Sequence, residues 1–171
     1  MQFLRRTTAA LALALVAALS FVAPQTARAQ ALSDYVENNF IDYVFRAQTW
    51  TIGATFYVGL STAACSDSSV GTEVTGGSYA RASITRSNTA FTNTQNSGTT
   101  ASTGTGGQTA NVSAINFATP TAGWGTVTHF FISDASSGGN LILCQSLTTS
   151  KTINSGDSVS FSSSALTVTV Q

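Results

Sequence analysis

The feature that most constrains this chain lies in its C-terminal half. From residue 124 to residue 171, apolar and polar residues alternate in short runs separated by turn residues, with almost no charge. A period of two gives each run one buried and one wet face, which is the signature of antiparallel strands. The pattern predicts a meander, a scaffold and not a catalytic site. Strands are expected over residues 126–133, 140–146, 158–161 and 165–171, and upstream over 55–61, 79–86 and 112–117. The runs Ser136-Ser137-Gly138-Gly139 and Asn154-Ser155-Gly156-Asp157 supply tight connections. Seven or so short strands at regular spacing predict a mainly β fold, an antiparallel β-sandwich or a flattened barrel.

Residues 1–29 read as a processing segment. Arg5 and Arg6 make a positive start, residues 9–23 a nearly unbroken apolar run, and Ala27-Arg28-Ala29 a small-x-small cleavage site. The run is short for a membrane span and the cleavage signal follows at once, so no membrane insertion is expected after cleavage. Residues 30–171 then form one domain, secreted or periplasmic. Its seven carboxylates (Asp34, Glu37, Asp42, Asp67, Glu73, Asp134 and Asp157) face four cations (Arg46, Arg81, Arg86 and Lys151), a net charge of −3. With no basic stripe to release counterions, nucleic acid is excluded as a partner. Cys65 and Cys144 both lie in the exported portion, where an oxidising compartment favours a disulfide over two free thiols or a thiolate nucleophile.

Residues 31–46 carry the only convincing helix. Leu32, Val36, Phe40 and Val44 recur at i+4, Tyr43 joins that face, and Ser33 or Asp34 can cap the start. So short a helix is marginal alone, so its apolar face must press on the domain's own sheet or on a neighbouring subunit. Residues 92–109 are Thr, Ser, Asn, Gly and Gln with hardly an apolar anchor, and predict a mobile loop or a wet, weakly paired hairpin.

Chemistry has few places to hide. The single histidine, His129, falls inside a strand with no nucleophile motif beside it, and reads as a hydrogen-bonded strand residue. Asp134 and Asp157 sit at turns, where Asp binds its own backbone. Trp50 and Trp124 flank element boundaries and read either as plugs for the core or as exposed rings for stacking on sugar. No catalytic residue, metal ligand set or cofactor is expected.

Two blocks matter together. One is Gly71-Thr-Glu-Val-Thr-Gly-Gly-Ser-Tyr-Ala-Arg81. The other is Trp124-Gly-Thr-Val-Thr-His-Phe-Phe-Ile-Ser-Asp-Ala135, continuing through Gly138-Gly139-Asn140-Leu141 to Lys151-Thr152 and Gly156-Asp157. With the helix opening Ala31-Leu-Ser-Asp-Tyr-Val-Glu-Asn38 and the strand Thr55-Phe-Tyr-Val-Gly-Leu60, this order resembles the small tail fibre or virion structural proteins of tailed bacteriophages and prophages. The resemblance implies a structural or adhesive β-domain acting by homo-oligomeric or fibre assembly, with a cell-surface glycan or protein as a further partner, and no catalysis. The leader and the cysteine pair depart from what a virion protein needs, and imply a phage-derived domain reused as a secreted protein. A pilus-like filament subunit is the alternative, and a surface-glycan enzyme a more distant one.

Overall fold

A computed structural model of the chain describes residues 32–94, 100–104 and 106–170. The expected leader and its cleavage site lie outside them. Ser33 opens the fold in extended backbone, and its side chain accepts a hydrogen bond from the Val36 N–H at 3.3 Å. That satisfies one of the orphan donors of helix α1 (Asp34–Phe45), whose first turn also carries Asp34 and Glu37 against the positive end of the helix dipole. The Ser33 hydroxyl donates in turn to the Leu141 carbonyl, fixing the helix start to the sheet.

Eight strands follow among the described residues: β1 (Thr55–Ser61), β2 (Ala82–Thr85), β3 (Gln108–Ala110), β4 (Ile115–Asn116), β5 (Gly125–Ser133), β6 (Leu141–Ile153), β7 (Ser160–Phe161) and β8 (Thr167–Thr169). They form an antiparallel four-stranded sheet in the order β2-β1-β5-β6 and two short antiparallel ribbons, β3-β8 and β4-β7. The architecture is mainly β and sandwich-like, and no closed barrel forms among the described residues. The meander expected over 124–171 holds only for β5 and β6. Beyond Ile153 the chain leaves the sheet, and β7 and β8 pair with β4 and β3 instead. Alternation specifies a strand's faces and leaves its partner open.

Cross-strand pairing sorts the main sheet into two faces. Val58 pairs with Ile132 and Leu60 with Phe130, and Ile132 pairs onward with Leu143. These join Ile115, Phe117, Trp124 and Leu166, with Phe161 and Val168 beside them, in the core between sheet and ribbons. Buried Asn111 locks the ribbon side. Its Nδ2 donates to the Ser113 and Ser162 carbonyls, both at 2.8 Å, and its Oδ1 accepts from the Leu166 N–H at 2.9 Å. Because the amide is fully partnered, its burial carries no unpaired-group penalty.

The opposite face is also covered, which is why Phe130, Phe131, Ile132 and Ser133 are all buried although consecutive strand residues point to opposite sides. Gly59 pairs with Phe131, and Phe131 with Cys144. A Cβ at Gly59 would stand 2.1 Å from Phe131 Cζ, so the ring fits only because no side chain opposes it.

Parts of the polar stretch at 92–109 are described and behave as a wet hairpin. Thr92 N–H donates to the Ala110 carbonyl, Phe91 bridges Asn111, and Thr94 and Thr103 hydrogen-bond each other. Its last two residues already belong to β3.

Candidate functional site

The expected disulfide is formed. Cys65 and Cys144 are bonded across 79 residues with Cα atoms 6.2 Å apart, tying the loop after β1 to β6. Near it, on the face away from the core, lies a cluster of hydrogen-bonded polar side chains. Arg81 donates Nε to Glu73 Oε1 at 2.7 Å and Nη2 to Oε2 at 2.8 Å, a bidentate pair, and Nη1 to the carbonyls of Ala135 and Gly138, each at 2.8 Å. Its guanidinium carbon stands 4.8 Å from the centre of the Phe131 ring. The Arg81 side chain is 5% exposed. The hydrogen bonds it donates to Glu73 hold the guanidinium pKa above its ordinary value.

Tyr79 completes the cluster. Its hydroxyl accepts from the Leu60 N–H at 2.9 Å and donates to Glu73 Oε1 at 3.2 Å. Burial pushes its pKa well above the ordinary tyrosine value, and the neighbouring Glu73 charge adds to the rise, so the phenol stays protonated. With Arg81 donors committed on every side, the cluster functions as a clasp. It brings together the two blocks that carry the sequence resemblance, residues 71–81 and 124–141. Nothing in Glu73 and Arg81 taken singly announces a pair, so the junction of the two blocks is not legible in the sequence.

Other singled-out residues have structural places. His129 lies on β5 between Ser61 and Ser146, its Nδ1 sharing a hydrogen bond with Thr128 Oγ1 at 2.8 Å. Asp134 accepts from the backbone and side-chain amides of Asn140, and Asp157 from the Asn154 N–H. Trp124 is a plug: it is 5% exposed, donates to the Gly77 carbonyl at 3.0 Å and meets Tyr79 edge to face. Trp50 is half-buried, edge-on to Tyr35. Among the described residues no group of three or more His, Cys, Asp or Glu is placed to hold a metal ion, and no helix is long and apolar enough to cross a membrane.

Helix α1 departs most from expectation. Of the predicted face only Val36 is buried, against Leu143 and Ile142 of β6. Phe40 is 51% exposed, Tyr43 60% and Phe45 75%, with Ile41 and Val44 near half. At 100° per residue these five spread over more than half the helix circumference, so one sheet could never have covered them. The first turn docks on β6, held by the Leu32–Leu143 bridge and the Ser33 cap, and the last two turns project with their apolar side chains outward. Among the described residues, these five account for most of the exposed large hydrophobic side chains.

Comparison with protein families matches residues 31–169 to the family described as Podophage GP4 fiber I protein gp80. No curated protein matches the chain.

Proposed function

This chain belongs to the phage fibre family of the Podophage GP4 fiber I protein gp80, and on that premise we propose that it is an exported fibre-type subunit that works by assembly and surface binding, not by catalysis. The observation that carries the reading is the outward face of α1. Five large apolar side chains on one short, projecting helix are costly to leave in water, at about 25 cal/mol per Å². Copies of the same helix, related by symmetry, bury one another's faces without any change to the β-domain. Repetition then turns weak individual surface contacts into avidity. The leader signature and the disulfide fit assembly outside the cytoplasm.

The test is sedimentation and negative-stain microscopy of the protein recovered after export, beside a variant carrying Ile41→Asp and Val44→Asp. Both positions are half-exposed, so the domain should fold unchanged by circular dichroism. The wild type should form defined oligomers or fibres and the variant monomers. A monomeric wild type at micromolar concentration would refute the assembly reading, and N-terminal sequencing that still finds Met1 would refute export with cleavage.

A further inference from the structure

The second half of β6 opens a groove that the clasp, the core and α1 leave unused. Between Val127 and His129 the strand β5 has one residue, whereas β6 has four between the paired positions Ser146 and Lys151. The surplus bows β6 away from its neighbour, as a bulge does. β6 is also the sheet edge, with no strand on its far side among the described residues beyond the Leu32 bridge. The gap between this bowed edge and the segment 157–161 is a cavity of about 470 Å³, within the range of small-molecule sites. A second hollow of about 260 Å³ shares Leu147, Thr149 and Phe161 with it, so the two form one trough.

The trough is amphipathic in a particular way. Leu60, Val127 and Phe161 make an apolar floor, and Phe161 is braced by Phe130 at 5.4 Å and Phe117 at 6.3 Å. Around it stand Thr149, Lys151, Ser160 and Asp157. The side chains of Thr149, Lys151 and Ser160 have no hydrogen-bond partner among the described residues. Asp157 uses only Oδ2, on the Asn154 N–H. One cation and one carboxylate leave the lining without net charge, which disfavours phosphates and other strong ions. The rim offers a donor, an acceptor and two hydroxyls that serve as either. A ring of hydroxyls with apolar C–H faces answers both requirements.

We propose that this trough is a binding site for a neutral oligosaccharide, with Lys151 and Asp157 holding hydroxyls at the rim and Phe161 meeting a ring face. The proposal rests on the surface-binding half of the function proposed above and is independent of assembly, since no residue of α1 lines the trough.

The experiment applies the exported protein to an array of microbial and plant oligosaccharides, then measures the best neutral hit by saturation-transfer NMR and calorimetry. Thr149→Trp should fill the trough and Lys151→Ala should weaken binding more than tenfold. Both residues are exposed, so melting temperatures should stay level with wild type. The α1 double-Asp variant should bind each site as wild type does while losing avidity on the array. Failure of the whole array, a preference for anionic glycans, or binding that survives both trough variants would overturn the site. None of these outcomes would alter the oligomeric state on which the assembly reading stands.

Discussion

At the scale of single residues, two positions carry consequences that a substitution table would miss. Gly59 is needed for close approach, not for a turn. Gly59→Ala should push the Phe131 ring, over which the Arg81 guanidinium lies, and cost about 1–3 kcal/mol in urea unfolding as overpacking does. Tyr79 gives a pH signature. Its folded pKa lies above that of the unfolded chain, so the protonated phenol's contribution is complete below about pH 10, where free tyrosine titrates, and is lost as pH rises beyond it. Thermal melts should therefore fall between pH 10 and 11, and Tyr79→Phe should flatten that decline. Neither residue was legible in the sequence as a site, because Gly59 matters only through a residue more than seventy positions away and Tyr79 only through Glu73 and Leu60.

At the scale of elements, α1 shows what periodicity can and cannot say. The repeat of Leu32, Val36, Phe40 and Val44 correctly specifies a helix, and of the two cap candidates, Ser33 and Asp34, the structure uses Ser33. It does not specify what the apolar side meets. Val36→Ala should destabilise the isolated domain by about 1.5–3 kcal/mol, the value of a buried valine. Phe40→Ala should change monomer unfolding by less than about 1 kcal/mol, because the ring is half in water. In sedimentation the order should reverse, with Phe40→Ala weakening association more. β6 teaches the complementary lesson. Its expected end at residue 146 falls short of the observed Ile153, because the polar run Thr148-Thr149-Ser150-Lys151 lacks an apolar face, and it is the pairing of Lys151, Thr152 and Ile153 with β5 beyond the irregularity that continues the strand.

At the scale of the whole molecule, the disulfide closes a chain segment spanning a sequence separation of 79 that includes β2 to β5 and the Arg81 bonds to Glu73, Ala135 and Gly138. Cys65→Ser with Cys144→Ser should lower unfolding free energy by about 4–5 kcal/mol on the chain-entropy account, measured by denaturant titration of the oxidised and variant proteins. The sequence by itself determined the strand-rich class, the helix, the turn aspartates, the cysteine pairing and the family, since each depends on local periodicity, turn chemistry, the count of cysteines or a short ordered motif. Only the tertiary structure decided that β7 and β8 leave the meander for β4 and β3, that Glu73, Tyr79 and Arg81 close on Phe131, and that α1 turns most of its apolar surface outward. Those outcomes are set by which segments compete to cover the two faces of one sheet, a free-energy comparison between distant parts of the chain that no local pattern contains.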